Sequence, residues 1–138
     1  MPQQIYVNLP VKNLDRSVAF FKSLGYAFNP QFTDANAACM IVSESIYVML
    51  LVEPFFTSFT KKAIADVGTS SEVILALSCE SKAAVDAMVA KASAAGATTP
   101  IAPQDHGFMY QHGYHDLDGH QWEVMWMDES KVPHHPNG

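Results

Sequence analysis

Glu123 is the residue whose type and setting most suggest chemistry, because it is an acidic residue inside the apolar run QWEVMWM. Side chains alternate between the two faces of a strand, so Trp122, Val124 and Trp126 share one face and Glu123 takes the other. We expect the tryptophan face to pack on a helix. A carboxyl group on the opposite face is either a metal ligand or acid–base group, or a polar group that is hydrogen-bonded inside a cavity.

Several histidines precede Glu123 along the chain, and imidazole is the commonest ligand of transition metals. We hypothesise that His112 or Tyr110 forms a general acid–base couple with Glu123 if it faces the same side of the sheet. His112 and His115 have opposite parity on a regular strand, and His120 adjoins the turn DLDG, where side chains usually face solvent. The spacing therefore favours ordinary hydrogen-bonded histidines over a histidine-rich metal site. His106 belongs to the same group, and His134 and His135 lie in a tail that we predict to be disordered.

The composition narrows the class of partner. A chain of 138 residues with 49% apolar content suits one compact domain, and its longest apolar run, residues 46–52, is far shorter than the roughly 20 residues of a membrane helix. A net charge of −6 with a single arginine argues against a nucleic-acid partner, so we expect a small organic ligand and no membrane. The two cysteines form no CxxC pair, which indicates reduced thiols and a cytoplasmic protein.

Strand and helix patterns occur twice in the same order. Residues 4–52 indicate a strand, a helix and three strands, among them YAFNPQF, and the helix is bounded by Asn13 and Gly25. Residues 73–128 repeat this order, with a helix bounded by Ser81 and Gly96 and strand-like runs that include TTPIAP. We therefore predict two βαβββ units in one domain, joined by a connector at 53–72 and followed by a tail at 129–138.

This duplicated pattern and two phrases, VNLPVKNLDRSVAFFKSLGY and DLDGHQWEVMW, together resemble the vicinal oxygen chelate superfamily over nearly the whole chain. That superfamily includes glyoxalase, bleomycin-resistance and extradiol-dioxygenase proteins. The resemblance implies an α+β fold in which eight strands form a cupped mixed sheet, with the helices outside and a ligand or metal inside the cup. It also implies a homodimer.

The resemblance places the metal-ligand positions of the superfamily at Tyr6, Met49, Ile74 and Glu123. A divalent metal site normally needs three or four protein ligands, and a phenol, a thioether and an alkyl group are poor ones. We therefore expect no metal and no other cofactor. The alternative is a divalent metal anchored by Glu123 with nearby histidines.

Two functions follow from these residues, and the sequence leaves open whether the protein is an enzyme. The first is a metal-independent binding protein that holds a small aromatic or apolar molecule in the cup. The alternative is a lyase or isomerase resembling lactoylglutathione lyase, or a dioxygenase, which acts on a small oxygenated metabolite through Glu123 and a divalent metal. In a third possibility the cup is filled by its own side chains. The residues predicted to line the ligand site are Tyr6, Asn8, Tyr47, Met49, Ile74, Tyr110 and Met125.

Three phenylalanines make the connector too apolar for a solvated loop. Phe55, Phe56 and Phe59 would form a lid over the cup, a dimer contact, or a small cluster under the rim of the sheet. We favour the dimer contact.

Overall fold

The computed structural model describes residues 3–131 and divides the chain into two compact units, Met1–Asp66 and Val67–Gly138. Each unit contains one four-stranded mixed sheet and a helix that follows the first strand of that sheet. The predicted α+β fold with two βαβββ units is therefore confirmed. No helix within residues 3–131 combines the length and the apolarity needed to cross a membrane.

The first unit begins with β1 (Ile5–Val11) and α1 (Leu14–Ser23), which are followed by β2 (Ala27–Asn29), β3 (Ala37–Ser43) and β4 (Ile46–Val52). The strand order in the sheet is β1-β4-β3-β2, with β1 parallel to β4 and the other pairs antiparallel. A short helix, α2 (Glu53–Thr57), opens the connector. The predicted strand YAFNPQF is shorter than expected, because Pro30 begins a 3-10 turn at Pro30–Phe32.

Local signals explain where α1 begins and ends. The side chain of Asn13 accepts a hydrogen bond from the backbone N–H of Arg16 at 3.0 Å, and Gly25 follows the helix with a φ of 105°. The buried side chains of α1 include Phe20 and Phe21. Together with one face of the sheet, they form an apolar core. The buried side chains on that face are Leu9, Val11, Ala38, Met40, Val48 and Leu50.

The second unit consists of β5 (Ile74–Ser78), α3 (Lys82–Ala94), β6 (Gln104–Asp105), β7 (Met109–His115) and β8 (Gln121–Met127). Its strand order is β5-β8-β7-β6, with β5 parallel to β8. The run TTPIAP, predicted as a strand, forms only one isolated bridge, at Thr98, because Pro100 and Pro103 have no N–H to donate to a neighbouring strand.

The core of the second unit lies between α3 and one face of its sheet. The side chain of Ser81 caps α3 by accepting from the N–H of Ala84 at 3.0 Å. Val85, Val89 and Ala92 of α3 are buried, as are Trp122 and Val124 of β8, and α3 lies against both β7 and β8. The predicted packing of the tryptophan face on a helix is therefore confirmed.

Candidate functional site

Each sheet has a second face that lies opposite its long helix, which we call the open face. In the first unit this face is buried at Ala37, Cys39 and Leu51 and exposed around Tyr6. On the open face of the first unit, Tyr6 is in register with Tyr47, and Asn8 is in register with Met49. The two tyrosine rings are stacked, with centroids 4.8 Å apart and an angle of 11° between their planes. Four of the predicted ligand-lining residues are thus neighbours on one surface.

The tyrosine pair is held by polar contacts at the rims of its rings. The Tyr6 hydroxyl donates to Oε1 of Gln4 at 3.2 Å, and the Tyr47 hydroxyl donates to the backbone carbonyl of Glu44 at 3.0 Å. In the described part of the first unit β1 pairs only with β4, so no strand lies beyond Tyr6. Tyr6 is 46% exposed, and the pair therefore presents a flat apolar surface.

The open face of the second unit carries Glu123. Its register partners are Ala76 on β5 and Gly113 on β7, and both are too small to cover it. Two further predicted lining residues lie on the same face. Ile74 precedes Ala76 by two residues on β5, and Met125 follows Glu123 by two residues on β8. Glu123 is half-buried.

Gly113 is required beside Glu123 because the strands approach closely there. A Cβ atom at this position would lie 2.6 Å from the backbone carbonyl oxygen of Trp122 and 3.5 Å from Cγ of Glu123. Any side chain would therefore push β7 away from β8. The glycine also leaves space next to the carboxyl group.

The hypothesised acid–base couple requires Tyr110 or His112 to share a face of the sheet with Glu123. His112 is in register with Val124 and Tyr110 with Trp126, which places both on the face covered by α3. The Tyr110 hydroxyl donates to Oδ1 of Asp86 in α3 at 2.6 Å, and this bond to a carboxylate raises the pKa of Tyr110. The sequence did not specify the register between β7 and β8, and that register decides the face.

His115 is the histidine that shares the open face with Glu123. It is in register with Gln121, which makes it a diagonal neighbour of Glu123, at the roughly 7–8 Å that separates such residues on one face. Both residues line a small pocket between the sheet and residues 100–102. The opposite parity of His112 and His115 was visible in the sequence, but it did not show which of them accompanies Glu123.

The sequence analysis missed the role of Asp116. This carboxyl group is only 8% exposed, and its Oδ1 accepts from the N–H groups of Asp118 and His120, both at 3.0 Å. Its Oδ2 accepts from the indole N–H of Trp122 at 2.9 Å. Burial raises the pKa of Asp116, while the nearby His120 and these donors oppose the increase. The position of an Asp at the start of the DLDG turn was the available signal.

The burial of His120 contradicts a second prediction. We expected a solvent-facing side chain beside the turn, but His120 is 4% exposed. Asp116 accepts from the backbone of His120 and folds the turn inward, so the imidazole lies in the interior. His134 and His135 lie outside the described residues.

Few metal donors lie at the positions that the resemblance implies. Within residues 3–131, no group of three or more His, Cys, Asp or Glu side chains is placed to hold an ion. Of the four positions that the resemblance implies, only Glu123 offers an ordinary metal ligand, because Met49 is a thioether, Tyr6 a phenol and Ile74 an alkyl group.

Comparison with known proteins gives one partial sequence match and several solved structures with a similar fold. A sequence model described as bleomycin resistance protein-like N-terminal matches residues 3–43. No curated protein sequence matches the chain. A hypothetical protein from S. aureus is similar in structure, with 26% identity, a TM-score of 0.77 and coverage of 91% of this chain and 95% of that one.

Two further solved structures share the fold. A glyoxalase/bleomycin resistance protein/dioxygenase family enzyme from Burkholderia phytofirmans PsJN is 18% identical, with a TM-score of 0.76 and coverage of 91% of this chain and 99% of that one. A fosfomycin resistance protein from Mesorhizobium loti is 12% identical, with a TM-score of 0.66 and coverage of 91% and 92%. The N-terminal match and these similarities show that the chain shares the duplicated βαβββ fold of glyoxalase, bleomycin-resistance and dioxygenase proteins.

Proposed function

We propose that this protein binds a small, flat aromatic or apolar molecule on the open face of the first unit, without a metal or other cofactor. The observation that carries the proposal is the exposed stacked pair of Tyr6 and Tyr47. An offset-stacked aromatic contact contributes about 0.5–1.5 kcal/mol beyond the apolar area that it buries. A ring laid against Tyr6 would extend the existing stack.

The neighbours of the tyrosine pair suit this role. Met49 is half-buried beside Asn8, and a thioether adapts its shape to irregular apolar ligands. The Asn8 side chain donates to the carbonyl of Tyr6 at 3.2 Å, which leaves its amide oxygen as an acceptor for a polar substituent of the ligand. Apolar contact would supply affinity, and the amide would orient the ligand.

The test is a calorimetric titration of the protein with 2-naphthol and with decalin-2-ol, its saturated counterpart. We expect 2-naphthol to bind more tightly, and we expect Tyr6→Leu and Tyr47→Leu to weaken its binding about tenfold. Tyr110→Leu is the matched control, because Tyr110 contacts α3 and not the open face. Equal affinity of the control and the two variants for 2-naphthol would contradict the proposal.

The proposal includes a cytoplasmic homodimer. Cys39 and Cys79 are both free thiols, as expected in a reducing compartment. For the dimer, the support is the connector: Phe59 is 69% exposed, and its ring contacts Phe55 edge-to-face at 5.0 Å between centroids. An exposed aromatic pair of this kind favours a protein contact.

A second candidate function is acid–base catalysis by Glu123, in a lyase or isomerase acting on a small oxygenated metabolite. It is favoured by one observation, the shared pocket of Glu123 and His115. A carboxylate and an imidazole on the same sheet face could remove and return a proton on one substrate. For any turnover that is found, we expect Glu123→Gln to lower kcat at least a hundredfold. Full activity in that variant would exclude this function.

A further inference from the structure

The pocket beside Glu123 is formed by extra chain length in the segment before β6. Thr98 bridges to His115, and Gln104 is in register with Gln111. Residues 99–103 therefore span, with five residues, an interval that β7 spans with the three residues 112–114. We call residues 99–103 the strap. Its two additional residues hold it away from β7, above the position of Gly113.

The strap forms one wall of the pocket. Pro100, Ile101 and Ala102 line one side, and Glu123 lies on the other. The cavity volume is about 20 Å³, which suffices for about one water molecule. A larger ligand fits between the strap and Glu123 only if the strap moves outward.

The strap is anchored at its far end by a charged contact. Nζ of Lys82 in α3 lies 3.0 Å from Oδ2 of Asp105, which directly follows Gln104 in β6. The Lys82 ammonium also lies 5.9 Å from the ring centroid of Tyr110 and 5.7 Å from that of Trp126. The side chains of Lys82 and Asp105 are about half exposed, so their bond is weak enough to break and re-form readily.

The charged and polar groups around the pocket indicate which charge a ligand should carry. Within the described residues, its lining includes the carboxyl group of Glu123, the imidazole of His115, polar groups of Gln104, Gln111 and Gln121, and no lysine or arginine. The strap adds apolar surface from Pro100, Ile101 and Ala102. A carboxylate with no lysine or arginine beside it favours a ligand that brings a positive charge, and the chain carries a net charge of −6.

We propose that the pocket under the strap is a binding site for a small organic ammonium compound with an apolar body, and that the Lys82–Asp105 contact is the latch that holds the strap closed. The ammonium group bonds to Glu123, and the apolar body lies against Ile101. This site is distinct from the tyrosine pair. The proposal concerns binding only. For the second candidate function, it implies a substrate that carries a positive charge.

The latch is tested without any ligand. Carbodiimide with glycine ethyl ester converts accessible carboxyl groups to amides, and mass spectrometry measures the rate at Glu123. Exposed ion pairs are weak, so we expect Asp105→Asn and Lys82→Met to raise this rate only about twofold to fivefold. Asn at 105 keeps the acceptor for the N–H of Gly107, so the turn is preserved.

Lys131→Met is the matched control for the latch. It removes another surface ion pair, between Lys131 and Asp128 at 3.9 Å, that does not touch the strap. We expect no change at Glu123 in this variant. Equal rates at Glu123 in the wild-type protein, Asp105→Asn and Lys82→Met would overturn the latch.

The ligand class is tested with cyclohexylammonium, cyclohexanol and cyclohexanecarboxylate, which share one apolar ring and differ in charge. We expect calorimetry to detect binding of cyclohexylammonium alone, a loss of about tenfold or more in Glu123→Gln, and a gain of about twofold to fivefold in Asp105→Asn. Binding of the carboxylate as tight as that of the ammonium compound would overturn the charge preference, as would unchanged affinity in Glu123→Gln.

The saturated ring separates this proposal from the tyrosine pair. A Tyr6→Leu variant should bind cyclohexylammonium as the wild-type protein does while losing 2-naphthol. Loss of cyclohexylammonium in Tyr6→Leu, with no loss in Glu123→Gln, would assign both ligands to the first unit and overturn the site under the strap.

Discussion

Asp116 shows how one buried side chain organises the chain next to Glu123. Its two oxygens accept from two backbone N–H groups and from the indole of Trp122, and these bonds bind the turn to the start of β8. Burial nevertheless raises the pKa of Asp116 above its usual value of 3.8. The folded protein therefore holds this proton more tightly than the unfolded chain does. The contribution of Asp116 to the free energy of unfolding is largest in acid and falls as the pH rises from about 3.8 through the folded-state pKa.

Replacing Trp122 tests how burial and hydrogen bonding together set the pKa of Asp116. Trp122→Phe removes the indole donor that lowers the pKa of Asp116, so we expect a further rise in that pKa and a steeper loss of stability between acid and neutral pH. At pH 7 the variant should lose about 2 kcal/mol more than Trp126→Phe, whose ring lies under Lys82 instead. Urea unfolding of both variants from pH 4 to pH 7 measures the difference. Parallel stability curves for the two variants would contradict the role of Asp116.

The pair of strands β7 and β8 is the element that positions the second candidate site. Register pairs Gly113 with Glu123 and His115 with Gln121, and it sends Tyr110 and His112 to the side of α3. Alternation along each strand was predictable from the sequence, because it is a property of extended backbone. The register was not, because it depends on the turn at residues 116–120 and on burial of Trp122.

Gly113→Ala tests the close approach of these strands. The added Cβ would meet the carbonyl oxygen of Trp122 at 2.6 Å, and a backbone atom moves aside only if the strand shifts. We expect a loss of about 1–3 kcal/mol in the free energy of unfolding, as is typical of overpacking, measured by urea denaturation. Reduced carboxyl labelling of Glu123 would accompany it if the methyl group occupies the space beside the carboxyl. Wild-type stability in this variant would show that the strands separate freely.

At the scale of the whole molecule, the chain repeats one topology in two sheets with different surfaces. The open face of the first unit presents stacked aromatic rings, and that of the second presents a carboxyl group beneath a strap. Position 49 in β4 and position 123 in β8 are equivalent in the repeat, yet one is a methionine and the other a glutamate. The two copies therefore suit different ligand chemistry.

The proposed homodimer is tested through Phe59. Phe59→Ser removes the most exposed aromatic ring of the connector, so we expect sedimentation equilibrium to show a shift from dimer to monomer. Phe32→Ser is the control, because Phe32 is 58% exposed on a different segment. A wild-type protein that sediments as a monomer at micromolar concentration would exclude the dimer, and a dimer that survives in Phe59→Ser would move the contact elsewhere.

The sequence by itself determined the repeated order of strands and helices, the caps at Asn13 and Ser81, and the separation of Glu123 from the tryptophan face of β8. These features depend on residues a few positions apart, so local pattern suffices to predict them. Only the tertiary structure decided that His115 accompanies Glu123, that His120 is buried with Asp116, and that residues 100–102 line the pocket beside Glu123. Those outcomes depend on which distant segments pair and on what they bury, and alternation along a single strand carries no information about its partner.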